Sequence, residues 1–213
     1  MFVIRFFQMG GLFMFPILIV LAAGIAIAVE RWIHLKRVKA ENSRKWDEVH
    51  PVLAEGNFDR AREMVNEDES AISQMLAMGL ARQGAVRRRE DIEIAMEERM
   101  MEIIPQLEKR TPYLALLSNI ATLFGLLGTI MGLITAFAAV ANASPAEKAA
   151  LLAASISEAM NCTAFGLMTA IPLLLLHARL TSTTGQIVNS LEMASVKALN
   201  TISTFSRRQY TEA

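Results

Sequence analysis

The sequence predicts an all-α integral membrane protein with three transmembrane helices, a helical cytoplasmic domain, and a third-span helix that extends into the cytoplasm. Three observations carry this. The 213 residues are 53% hydrophobic yet 20% charged, so the two classes must be segregated along the chain. They are: of 42 charged side chains, 32 lie between Glu30 and Arg110, whereas Gly11–Val29 and Tyr113–Ala141 hold none. A third apolar run, Ala149–Leu176, carries Glu158 as its single charge. Each run approaches or exceeds the ~20 apolar residues that cross a bilayer.

Taken in order, residues 1–29 form an outward amino terminus and the first span. Arg5, the apolar stretch and the small pattern at Ala26–Ala28 also resemble a secretory signal, but the apolar core is too long for one, and Arg31, Lys36, Arg37 and Lys39 follow at once. Those four cations against one before the span, with Lys109 and Arg110 preceding the second span and Arg179 following the third, put residues 30–112 and the tail in the cytoplasm. In the cytoplasmic segment, Ile92, Met96, Met100, Ile103 and Leu107 recur at helical spacing. Pro51, Gly56 and Gly84 punctuate it, Pro105 is expected to kink its last helix, and Pro112 marks entry to the second span at 113–141. Residues 142–148 form an outward loop and 149–177 the third span. Over 178–213 the pattern Leu180, Ile187, Val188, Leu191, Ala198 and Ile202 continues without proline. One helix is therefore expected to about Phe205, reaching ~44 Å beyond the span at ~1.5 Å per residue.

The composition also excludes functions. A net charge of zero argues against a nucleic-acid surface, and the basic run Arg87, Arg88, Arg89 is followed by Glu90, Asp91 and Glu93, as on a solvated helix face. One cysteine, Cys162, makes no intrachain disulfide. His34, His50 and His177 are isolated, there is no HExxH, and "GLLGT" lacks the lysine of a phosphate loop. The expectation is no enzyme and no cofactor.

What remains unusual is "SEAMNCTAFGLMTAIP", residues 157–172, polar within an apolar run. At ~100° per residue, Ser118, Thr122, Gly125, Thr129, Gly132 and Ala136 fall within roughly 80° on the second span. On the third, Glu158, Ser155, Cys162, Gly166 and Thr169 share a comparable arc, with Thr163 roughly 140° from Glu158. For antiparallel spans centred near residues 127 and 164, equal depth means residue numbers adding to about 291. Thr122 then meets Thr169, Thr129 meets Thr163, and Gly132 meets Glu158. Small residues alone indicate close helix packing, and Gly128 with Gly132 forms a GxxxG. A carboxylate at membrane depth costs at least ~2.5 kcal/mol, so it faces a bundle interior or a wet path. Three helices have too little interior for two polar faces, which favours an oligomer around a pore or a partner helix.

"EAMNCTAFGLMTAIP" resembles the third-span signature of the MotA/TolQ/ExbB proton channel family, whose TolQ and ExbB branch reads approximately E-A-L-x-x-T-A-x-G-L-x-x-A-I-P. "NIATLFGLLGTIMGLITAF" resembles that branch's second-span motif, a G-L-x-G-T-x-x-G core before an aromatic. Met160 stands in place of the usual Leu, and Asn161 and Cys162 add polarity before Thr163. The resemblance implies a pentamer in the bacterial inner membrane whose second and third spans line a pore. That pore holds an ExbD/TolR-type single-span partner with an intramembrane aspartate, and a TonB/TolA-type protein and membrane lipids are further partners. It further implies a proton path at Thr129, Thr163 and Glu158, with Ser118, Thr122, Gly125, Gly132, Ser155, Cys162, Gly166 and Thr169 lining the pore. The implied function is a channel subunit that couples the proton-motive force to work on a partner, in TonB-ExbB-ExbD or Tol-Pal fashion. The alternatives are a rotary or gliding stator and a passive membrane scaffold.

Overall fold

The structure is a computed structural model that describes residues 11–83, 89–141 and 144–212, with side chains as far as Phe205. Arg5, Gly84, Arg87, Arg88 and Asn142 lie outside the described residues. The described elements are α1 (Met14–Ala54), α2 (Phe58–Asn66), α3 (Ala71–Arg82), α4 (Arg89–Glu108), α5 (Thr111–Ala141) and α6 (Lys148–Glu212). The fold is all-α, and three of its helical stretches are long and apolar enough to cross a membrane. As the pattern beyond Leu176 predicts, α6 is one helix of 65 residues. Pro51 does not punctuate the chain: it lies inside α1, which ends at Ala54.

By internal packing the chain divides into two units, residues up to Arg31 with Arg110–Leu180, and Trp32–Lys109 with Thr181 onward. In the first unit, α1 and α6 run parallel: Gly11 lies against Glu158 and Gly24 against Leu173. Antiparallel α5 completes a core in which Ile17, Val20, Ala121, Cys162 and Ala170 are buried, flanked by Phe13, Phe124 and Phe165. The outward faces carry Leu123, Leu126, Ile130 and Phe137 on α5 and Leu167, Ile171 and Leu175 on α6, all exposed. In water such a surface would drive association, whereas hydrocarbon accepts it without cost. α5 opens at Thr111, where Pro112 suits the first turn because its missing N–H had no helical acceptor. The preceding Arg110 holds a left-handed φ of 66° and pairs with Glu30 at 2.9 Å.

The second unit is assembled by helix caps. Gly56, at φ 81°, ends α1: its N–H reaches the Leu53 carbonyl at 3.0 Å, and that of Asn57 reaches Val52 at 3.2 Å. Asn57 then caps α2 by accepting from the Arg60 N–H at 3.2 Å. Ser70 caps α3 by accepting from the Ser73 N–H, and the buried Asn42 of α1 accepts from the Ile72 N–H at 3.2 Å. At the far end of α3, the Arg62 guanidinium donates to the Leu80 carbonyl at 2.8 Å. Leu35, Val49, Met75, Leu80, Met96 and Leu191 are fully or almost fully buried, and Met96 fills the space beside Gly79.

Asp68 ties this capping system to pH. Burial pushes its carboxyl up, but bonds from the Ser70 hydroxyl and amide, the Lys45 charge and the Ser73 hydroxyl outweigh this and hold it below the ordinary 3.8. A depressed carboxyl stabilises the fold above its unfolded value, and that stability is lost as pH falls through the folded one. Thermal unfolding in detergent should show a stability loss below about pH 4 that Asp68→Asn flattens. An unchanged slope in the variant would remove Asp68 from the acid response.

Candidate functional site

Helices α5 and α6 meet along glycines. A Cβ on Gly166 would lie 2.8 Å from the Ala121 carbonyl oxygen and 3.0 Å from the Gly125 Cα. A Cβ on Gly125 would sit 3.3 Å from the Cα atoms of both Gly166 and Thr163. Gly132 meets Ala159 and Gly128 meets the Cys162 sulfur. The pairs Gly125–Gly166, Gly132–Ala159 and Gly128–Cys162 have numbers adding to 291, 291 and 290, the register that equal depth requires.

Close approach puts polar groups within reach across the seam. The buried Ser118 hydroxyl donates to the Ala170 carbonyl at 2.8 Å. Thr163 donates to the Gly125 carbonyl at 2.9 Å, Thr129 donates to the same oxygen at 3.1 Å, and the two hydroxyls are themselves paired. Three contacts share two hydroxyl protons. The protons can run Thr129 to Thr163 to the carbonyl or Thr163 to Thr129 to the carbonyl, and either order leaves acceptor capacity on the first hydroxyl. Both threonines are half-buried, at the edge of the seam.

The other sequence-predicted residues divide by environment. Ser118, Gly125, Cys162, Gly166 and Thr169 are buried inside this single copy of the chain, and the Thr169 hydroxyl has no hydrogen-bond partner among the described residues. Gly132 and Ser155 are half-buried. Thr122 is exposed, its hydroxyl bonded back to the Ser118 carbonyl at 3.2 Å. Glu158 is exposed and does not join the threonines: its carboxyl lies on Gly11, before α1. Helical spacing sets Thr163 roughly 140° from Glu158, and the expected face lay on the Glu158 side. The packed seam instead runs through Ala159, Cys162, Gly166 and Ala170, between the two. Thr163 therefore emerges on the α5 flank and Glu158 on the α1 flank. Two participants escape a search for polar residues, Ala159 and Gly11. The signal for Gly11 was the Gly10–Gly11 pair just before the apolar run, a turn signature.

The model of the MotA/TolQ/ExbB proton channel family matches residues 67–193, more than half of the chain and all of the α5–α6 seam. The chain belongs to this family. The Tol-Pal system protein TolQ of Haemophilus influenzae is 34% identical to it over 115 residues, which cover 54% of this chain and 48% of the relative. The chain thus spans about half the length of the curated relative it matches. Membership agrees with the three apolar spans and with the motif resemblance of the second and third.

Because a side chain on Gly166 would meet backbone on both sides, no rotamer change relieves it. Gly166→Ala should destabilise the membrane unit by about 1–3 kcal/mol, the range for overpacking, seen as a lower thermal midpoint in detergent. An unchanged midpoint would mean that the helices separate at little cost.

Proposed function

We propose that the chain is a proton-channel subunit in the inner membrane that couples the proton-motive force to mechanical work on a partner protein, in the manner of Tol-Pal or TonB-ExbB-ExbD systems. The observation that carries this is the Thr129–Thr163 pair, two hydroxyls with a shared carbonyl, half-buried at the edge of a glycine seam near the middle of α5. Hydroxyls suit an ion path because each donates and accepts without fixed charge, passing a proton between waters or solvating a protonated carboxyl. Glu158, five residues or ~7 Å from Thr163 along α6, lies toward the outer end. It tunes entry or relays protons, and Thr122 and Ser155 extend the path. Ser118, Gly125, Gly132, Cys162, Gly166 and Thr169 set the spacing that lets the hydroxyls meet.

The proton's carrier in this reading is an aspartate on a single-span partner of the ExbD/TolR type, held within a homo-oligomer, a pentamer by family likeness. A proton crossing 100 mV releases ~2.3 kcal/mol, so work on the partner requires several protons or repeated small steps. No enzyme chemistry and no cofactor enter it.

Two measurements test the proposal. In vesicles holding the chain with its partner, Thr129→Val combined with Thr163→Val should abolish dye-reported proton flux while oligomer size stays unchanged, and Glu158→Gln should lower flux less. Normal flux in the double variant would reduce these hydroxyls to packing groups. For orientation, cysteine labels at Ser144 should react from outside and at Gln83 only from inside, following the basic residues near Arg31 and Lys109. Reversed labelling would invert the direction of flow.

A further inference from the structure

We infer that Gly11 is a positioning residue for Glu158: the turn that opens α1 seats the Glu158 carboxyl on one flank of the third span. This rests on reading Glu158 as part of the ion path, and supplies what makes room there for an exposed, flexible carboxyl. Gly11 has a φ of +74°, a backbone conformation that side-chain-bearing L-residues rarely adopt. A Cβ there would collide with Glu158 Oε1 and would lie 3.3 Å from Cδ and 3.6 Å from Cγ. The carboxyl therefore lies against Gly11, in space that a side chain at this position would take from it.

Both sides of this contact are anchored by other contacts. The Met14 N–H donates to the Gly11 carbonyl at 3.3 Å, and Met14 itself is fully buried. Phe13 packs toward Gly128, its Cβ 3.3 Å from where a Cβ there would sit. On α6, Ala159, the neighbour of Glu158, is buried against Gly132. A glutamate has three rotatable side-chain bonds and samples many rotamers when free. The missing side chain of Gly11 leaves room for the rotamer that turns toward α1, and a Cβ there would remove it. Gly11 thus acts through Glu158, by leaving its oxygens room on that side, and takes no proton itself.

The test uses the full chain in lipid bilayers and needs no partner. A hydrophobic carbodiimide labels membrane carboxyls, and mass spectrometry reads the rate at Glu158. Infrared spectra give its carboxyl band, assigned by its loss in Glu158→Gln. Gly11→Ala should change the labelling rate several-fold and shift the band. Gly11→Asn, a residue that tolerates the left-handed region, should do the same, which separates the carboxyl contact from backbone strain. Unchanged labelling and band in both Gly11 variants would overturn the inference. Normal flux in the Thr129 and Thr163 double variant would instead remove the ion-path reading and leave the Gly11 contact standing.

Discussion

The membrane unit hangs on the approach of two backbones where Gly166 faces the Ala121 carbonyl and the Gly125 Cα, with no room for a methyl group between them. In hydrocarbon there is no hydrophobic force to press helices together, so association depends on van der Waals contact and interhelical hydrogen bonds. Both need the helices close. Helices packed through large side chains stand about 8–10 Å apart, and across such a gap the Thr163 hydroxyl would not reach the Gly125 carbonyl, nor Ser118 that of Ala170. The glycines therefore determine which hydroxyls pair, and the pairing of Thr129 with Thr163 follows from them.

The same seam explains why polar residues here differ in kind. A serine or threonine in lipid can satisfy itself on the carbonyl four residues earlier in its own helix, as Thr122 does on Ser118. Ser118 spends its proton across the seam, and Thr129 and Thr163 compete for one carbonyl and each other. Unlike Thr122 and Ser118, this pair has more contacts than protons across the seam, so it can rearrange without breaking a helix. In the second unit the polar groups behave otherwise. Asn42, Asn57, Ser70 and Arg62 each satisfy a fixed backbone group at a helix end, and their role is to hold short helices in place.

The spans, the continuous α6 and the depth register were legible because they rest on hydropathy and on helical rise, which do not depend on neighbours. Thr129 and Thr163 could be set at one level from counting alone. The azimuth was harder to read, since a wheel drawn on polar residues assumes that polarity marks the buried face. In lipid the buried face is marked by smallness: Cys162 and Gly166 lay on the expected face and are buried, whereas Ala159 and Ala170, which widen the seam beyond it, carry no polar signal. The ends of α1 also resisted reading. Pro51 reads as a breaker locally, yet the helix continues past it to Ala54, where Gly56 supplies the left-handed stop. The contact of Gly11 with Glu158 joins residues 147 positions apart and leaves no periodic trace in the sequence.

Glu158 and Thr122 remain on the outside of a single copy, and this bears on assembly. Thr122 is tolerable there because its proton is already used within its own helix. Glu158 is not, since a carboxyl facing lipid carries the ~2.5 kcal/mol or greater cost of an intramembrane charge, and its contact with Gly11 covers only one side. The remaining sides call for protein or water. In the proposed oligomer, protein or water covers Glu158 on the α1 flank, and a neighbouring copy or partner helix covers the α5 flank that carries Thr129 and Thr163. Covering that flank would bury the half-exposed threonine pair. In that reading the seam within one copy and the surface between copies are linked: the glycines that bring the two threonines together also leave the pair half-buried, on the flank that the proposed oligomer would cover.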